Sequence, residues 1–206
     1  MQAIVLTTYR NREAHLKEWV PAMRIAVPGA KIYVIEQADD KSFNRGKLFN
    51  VGFLHTEQLG DYWIMQDVDL LPLSVDYSYP DKPTHLATHA SQFGYKMPFD
   101  KYFGGCNAFT REQFRAVNGF SNHFRGWGAE DCELLKQFED KGIEIQRRPG
   151  RFKSLPHKRV VDKTEYSQNL EIFKGQRPEQ DGLDHCDHEI IGEEQKEGYT
   201  LVKVHL

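Results

Sequence analysis

The chain has 206 residues, 39% of them hydrophobic and 28% charged, and a formal net charge of −3. That length suits one soluble domain with a single substantial core, and the near-balanced charge argues against nucleic acid or an anionic membrane as partner. No apolar run approaches the roughly 20 residues that span a bilayer. Met1 leads into a strand-like run without a basic leader, and three cysteines (Cys106, Cys132, Cys186) point to a reducing compartment, so a cytoplasmic location is expected.

Ala3–Leu6 is a short apolar run expected to form a buried strand, and it ends in Thr7-Thr8-Tyr9-Arg10-Asn11-Arg12. Two guanidinium groups therefore sit at the carboxyl end of a strand, where open α/β sheets collect ligands. Arginines there can grip phosphate in bidentate fashion, although a solvated turn would carry the same residues. Glu13–Met23 reads as a helix with Leu16, Trp19, Val20 and Met23 on one face. Ile32–Ile35 is a second strand, Phe43-Asn44-Arg45 follows a polar loop, and Lys47–Leu54 is a second helix. Strand, helix, strand, helix predicts a parallel α/β architecture.

Tyr62–Met65 is a third strand that runs into Asp67-Val68-Asp69-Leu70-Leu71-Pro72. Carboxylates at i and i+2 on extended chain point the same way, and like charges that close repel unless a cation lies near them. Hard divalent ions take oxygen ligands and bridge to phosphates, so the motif suggests a metal-bound nucleoside diphosphate. His85–Ala90 is a further candidate strand. Beyond the aromatic run Phe93–Phe103, Gly104-Gly105 allows either close approach of a ligand to backbone or a plain bulge before the strand at Cys106–Phe109. Thr110 is a plausible N-cap for a helix over Arg111–Val117, which Asn118-Gly119 ends.

Gly126-Trp127-Gly128-Ala129-Glu130-Asp131-Cys132-Glu133 is the densest block of chemistry. Two glycines around a tryptophan allow the backbone to hinge. Acids in a first helical turn commonly just complement the macrodipole, which would account for Glu130 and Glu133. Asp131 differs, because with Leu134, Leu135 and Phe138 it shares the apolar face, and a carboxylate held at the edge of a core suits a general base. After a helix ending near Asp140, Ile143–Ile145 is an expected strand. Arg147–Arg159 is basic and interrupted by proline, and taken alone its His157 reads as structural or surface. From Val160 to Gly198 the chain is polar and weakly periodic, with room for one helix. There His185-Cys186-Asp187-His188 offers a zinc reading, but the donors are packed closer than usual zinc spacing. Thr200–His205 closes the chain as an alternating strand.

These pieces, in this order, resemble the catalytic domain of the β-1,4-galactosyltransferase family, inverting glycosyltransferases of GT-A type. The resemblance is carried by Tyr9-Arg10-Asn11-Arg12-Glu13 with His15-Leu16, by Ile32-Tyr33-Val34-Ile35, and by Phe43-Asn44-Arg45-Gly46-Lys47-Leu48 with Asn50-Val51-Gly52-Phe53. It continues through Asp67-Val68-Asp69-Leu70-Leu71-Pro72, Tyr102-Phe103-Gly104-Gly105, Asn118-Gly119-Phe120-Ser121-Asn122 and Gly126-Trp127-Gly128-Ala129-Glu130-Asp131, with His157 and Asp181-Gly182-Leu183 beyond.

The resemblance implies a single Rossmann-like domain over 1–206, a mixed nucleotide-sugar-binding sheet flanked by helices. Its donor-binding part would span about 1–110 and its acceptor and lid part about 111–206. It implies Mn²⁺ as cofactor, held by Asp69 and His157, and UDP-galactose as donor, surrounded by Arg10, Arg12, Phe43, Arg45, Asp67, Val68, Asp69, Tyr102, Gly105 and Trp127. Asp131 would deprotonate an acceptor hydroxyl with Glu130 beside it, and Trp127, Gly128, Asp131 and Phe99 would meet the glycan or glycolipid-precursor acceptor. Tyr102 stands where the family favours galactose over N-acetylgalactosamine. Three positions depart from the family pattern: Cys132 in place of an acceptor-contacting aspartate, Arg125 in place of an aromatic residue, and Ser154 near a methionine ligand. The rival expectations are a UDP-GalNAc or other UDP-sugar transferase of chondroitin-polymerase-like type, a non-catalytic nucleotide- or glycan-binding relative, and a zinc-bound interaction domain built on His185, Cys186 and His188.

Overall fold

The computed structural model describes residues 1–157 and 161–206; Lys158 and Arg159, at the end of the basic stretch, and Val160 lie outside the described residues. In chain order the elements are β1 (Ala3–Tyr9), α1 (Glu13–Ala26), β2 (Lys31–Gln37), α2 (Arg45–Thr56), β3 (Tyr62–Gln66), β4 (Leu70–Ser74), β5 (Thr84–His85), β6 (His89–Ala90), β7 (Cys106–Thr110), α3 (Arg111–Ala116), α4 (Glu130–Asp140), β8 (Gln146–Arg147), β9 (Arg151–Ser154), α5 (Lys163–Lys174), β10 (Glu189–Lys196) and β11 (Tyr199–His205). Eight strands form one mixed sheet in the order β10-β11-β2-β1-β3-β7-β5-β8, and β4-β9-β6 form a second, smaller sheet.

The alternation of side chains along β1 explains the layering. Val5 joins Leu16, Trp19, Val20 and Met23 of α1 on one face, whereas Ile4 and Leu6 join Leu48, Phe49 and Phe53 of α2 and Leu134, Leu135 and Phe138 of α4 on the other. Strands buried on both faces read as continuous apolar runs, which is why β1, β2 and β3 were legible. Because β1 runs parallel to β2 and to β3, their carboxyl ends share one edge. The antiparallel β7 enters from that edge through Gly104-Gly105. The second half of the chain returns to the same sheet, with β11 parallel to β2 and β8 parallel to β5.

Several expectations need correction. His85–Ala90 is two strands in different sheets, split where the Leu86 and Ala87 amides both turn to the Cys106 carbonyl. Ile143–Ile145 is not a strand. The Ile143 amide closes α4 on the Phe138 carbonyl and Gly142 has φ +66, a helix-end geometry, and pairing begins only at Gln146. The segment from 160 to 198 holds α5 as expected but also β10, an edge strand whose mostly exposed sequence lacks alternation. The zinc reading finds no support: Cys186 packs in the core, burial pushes its thiol up to about 12, and His188 bonds the Cys186 carbonyl. No helix among the described residues is long and apolar enough to cross a membrane.

Candidate active site

The site grows from the shared carboxyl edge of β1, β2 and β3. After β1, Arg10 lays its guanidinium 5.3 Å from the centre of the Phe43 ring and donates to the Lys41 carbonyl at 2.6 Å. Arg12 is the residue just before α1. Arg45 opens α2, which Asn44 caps by accepting from the Lys47 amide. Its guanidinium is set apart from Arg10, because it faces carboxylates: Asp67 at 2.6 Å through Nε, Asp131 at 2.6 Å through Nη1, and Glu130 at 3.5 Å. It also lies 4.8 Å from the centre of the Phe49 ring. Burial works against the arginine charge, but Asp131, Asp67 and Glu130 outweigh it and hold Arg45 well above its ordinary range.

The acids that Arg45 gathers come from two places in the chain. Asp67 follows β3, its amide donating to the Gly105 carbonyl at 2.9 Å. Asp131 and Glu130 begin α4, on its inward face. The Asp131 carboxyl is raised to about 8: burial pushes it up most, Arg45 pulls it down, and Glu130 and Asp67 add to the rise. Glu130 is raised for the same first reason, with Arg45 opposing. The macrodipole reading of Glu130 is therefore incomplete, since it faces a buried cation. Glu133 also points inward, accepting from Gln137 at 2.8 Å.

Gly104 shows why the paired glycines matter. A Cβ there would stand 2.7 Å from Asp131 Oδ2 and 2.9 Å from the Tyr102 ring, so glycine leaves the Asp131 carboxylate its place. Gly105 has φ +85, and a Cβ would meet Ala87 and Leu70 at 2.9 Å. Both glycines thus answer to the protein's own packing. Tyr102 is wedged edge-on against Phe93, Phe99 and His85, and burial raises its hydroxyl. Below it, Arg147 donates to the Tyr102 carbonyl and to His85 Nδ1, both at 2.6 Å, while His85 Nε2 bonds the Gly104 carbonyl at 2.9 Å. This support for the Tyr102–Gly104 loop carried no sequence signal beyond an isolated histidine and arginine.

Asp69 and His157 are 88 positions apart, but antiparallel pairing of β4 with β9 closes the gap, and the Leu155 amide donates to the Asp69 carbonyl at 2.7 Å. Asp69 Oδ2 then lies 3.2 Å from His157 Nδ1. Burial and Asp67 raise the Asp69 carboxyl; His157 and His15 oppose. An acid oxygen and an imidazole nitrogen converging in a largely buried place suit a divalent cation such as manganese.

The tryptophan loop borders the same region. Gly126, Gly128 and the non-glycine Ala129 all have positive φ, at +65, +108 and +74. Trp127 is 43% exposed and stacks on Tyr166 of α5 at 5.4 Å. Asn169 donates to the Arg125 and Trp127 carbonyls, and the Gly126 amide donates to the Phe43 carbonyl at 2.7 Å. The part of α5 in holding this loop was missed, because Asn169 and Tyr166 sit in the polar, weakly periodic segment. Phe99 is 51% exposed beside Tyr102. Arg45, Asp67, Glu130 and Asp131 are thus brought together, as are Asp69 and His157, whereas Val68 packs in the core with Trp19 and Met23, and no contact among the described residues ties Arg12 to either group.

Two family models match the chain, one described as the N-terminal region of glycosyl transferase group 7 over residues 1–80 and one as the N-terminal domain of galactosyltransferase over residues 84–158. The chain is 33% identical over 215 residues to β-1,4-galactosyltransferase 1 of Mus musculus, covering 97% of this chain and 53% of that one. The chain therefore spans about half the length of such curated relatives. Among solved structures, the catalytic domain of Drosophila β-1,4-galactosyltransferase 7 in complex with xylobiose superposes with a TM-score of 0.85 at 29% identity, covering 100% of this chain and 94% of that one. A mutant of the same fly enzyme with manganese, UDP-Gal and xylobiose superposes with a TM-score of 0.84 at 28% identity, with the same coverage.

Proposed function

Because this chain belongs to the β-1,4-galactosyltransferase family, we propose that it is a manganese-dependent inverting transferase that moves galactose from UDP-galactose to a hydroxyl of a glycan acceptor. The observation that carries this reading is the buried Arg45, which holds Asp67 of the Asp-Val-Asp motif and Asp131 of α4 on one guanidinium at 2.6 Å each. That bridge ties the donor motif to the acids at the start of α4.

In this mechanism Asp131 takes the proton from the acceptor hydroxyl as the oxygen attacks the anomeric carbon from the side opposite the diphosphate. Arg45 keeps the base oriented and its charge tolerable in a buried place. Arg10, on Phe43, is available to the uridine diphosphate at the mouth of β1. Asp69 and His157 would hold Mn²⁺, which supplies neutralisation of the charge that builds on the leaving diphosphate. Trp127 and Phe99 offer apolar faces on which an acceptor sugar can lie, and the glycine-flanked loop carries Trp127 over the donor to exclude water. Tyr102, locked by its aromatic neighbours, limits space at the donor sugar and favours galactose. Three unpaired cysteines, two of them buried, support a reducing setting such as the cytoplasm and an acceptor built on a precursor found there.

The test is UDP release from a panel of UDP-sugars against mono- and disaccharide acceptors, with Mn²⁺ and with chelator. Turnover of UDP-galactose that needs both metal and acceptor is expected. Equal use of UDP-GalNAc would remove the role given to Tyr102, and UDP binding with no transfer to any acceptor would leave a binding relative instead.

A further inference from the structure

Asp69 and His157 give a cation only two protein donors, and among the described residues no group of three acid, cysteine or histidine side chains stands ready to hold one. His15, in the first turn of α1, is close by. Its ring centroid is 5.8 Å from that of His157, edge to face. An imidazole centroid stands roughly 3.2 Å from an ion its nitrogen ligates, so two rings sharing one ion sit up to about 6.4 Å apart, and this pair is within that span. His15 Nε2 lies 3.4 Å from the Pro156 carbonyl. A carbonyl oxygen can only accept, so Nε2 carries the hydrogen and the lone pair is on Nδ1. That Nδ1 is buried and has no hydrogen-bond partner.

A buried acceptor without a partner is costly, and the bond that fixes the tautomer through the remote nitrogen is the arrangement found behind metal-ligating histidines. We infer that His15 supplies the third protein donor, through Nδ1, to the divalent cation of Asp69 and His157. The inference rests on the metal site proposed above. It gives His15 a role that neither α1's packing nor the base at Asp131 requires.

The test is binding of Mn²⁺ in the presence of saturating UDP, read from loss of the free-ion signal in electron paramagnetic resonance. It compares wild type with Asp69→Asn, His15→Ala, His15→Asn, His15→Gln and the α1 control Lys17→Ala, each checked for folding by circular dichroism. His15→Ala should weaken the Mn²⁺ Kd about 10- to 100-fold, with Lys17→Ala unchanged. Asparagine places its amide oxygen where Nδ1 stands and should restore part of the affinity; glutamine places it where Nε2 stands and should not. Wild-type affinity in His15→Ala, or rescue by glutamine rather than asparagine, would overturn the inference while leaving the two-donor site. Wild type that takes up no Mn²⁺, or Asp69→Asn that binds as wild type, would overturn the metal site and the inference together.

Discussion

Arg45 is the cation on which the candidate site depends, and Arg45→Met tests that dependence. In the folded chain it is bound to Asp67 and Asp131 at 2.6 Å and reaches Glu130 at 3.5 Å, with 12% of its side chain exposed. A charge pair about 4 Å between centres is worth about 4 kcal/mol at the effective dielectric of ~20 that suits such sites. Desolvation offsets most of that, but deleting one partner leaves the others buried and uncompensated, a loss of about 3–5 kcal/mol. The loss must depend on pH. Burial already raises Asp131 to about 8, so the folded chain binds a proton there that the unfolded chain has released above about pH 4, and stability falls as pH rises between those values. Without Arg45 the carboxyl rises further, and each unit adds about 1.4 kcal/mol of cost once the pH is high enough to ionise it. Urea unfolding of ligand-free protein should therefore show about 3–5 kcal/mol lost at pH 8.5 and less at pH 5.5, where the Asp131 carboxyl is protonated. A loss under about 1 kcal/mol, or one equal at both pH values, would refute the assignment of Arg45 as the cation that keeps these acids tolerable.

Other outcomes follow from the same geometry. Asp131→Asn should retain UDP binding by calorimetry and lose about 10²- to 10⁴-fold in transfer rate, because the amide cannot take the proton. With Asp131 near 8, transfer by wild type should rise roughly tenfold per pH unit from 6 to 8 and then level, as the base is active only when ionised; a flat profile in stopped assays would count against it. Gly104→Ala places a methyl group 2.7 Å from Asp131 Oδ2, so kcat should fall about 10²-fold with UDP affinity kept, and an unchanged kcat would mean the base has room to spare.

The fold was legible where burial is two-sided or where caps are local. β1, β2 and β3 announce themselves as apolar runs, and Thr110 forms the capping box that opens α3. The strands that escaped were those whose pattern is diluted. β4 carries Pro72, β9 is four residues long, and β10 lies at the sheet's edge with glutamates on its exposed face. Ile143 and Ile145 misled because their side chains pack on the core while the backbone serves the end of α4. In the site, the placement of Asp131 on the inward face of α4 could be read from periodicity. The partner that gives it meaning could not, because Arg45 lies 86 positions earlier and only the sheet's shared edge brings them together. His157 likewise reads as unremarkable until β4 and β9 pair and set it beside Asp69.

The central claim is in-line displacement by a hydroxyl that Asp131 activates, and the configuration of the first-formed product tests it most directly. Proton nuclear magnetic resonance of the transferred galactose, started from the α-linked UDP donor and followed from the earliest time points, should show only the β anomer with wild type. An α-linked product, or the β product formed at an undiminished rate by Asp131→Asn, would contradict it.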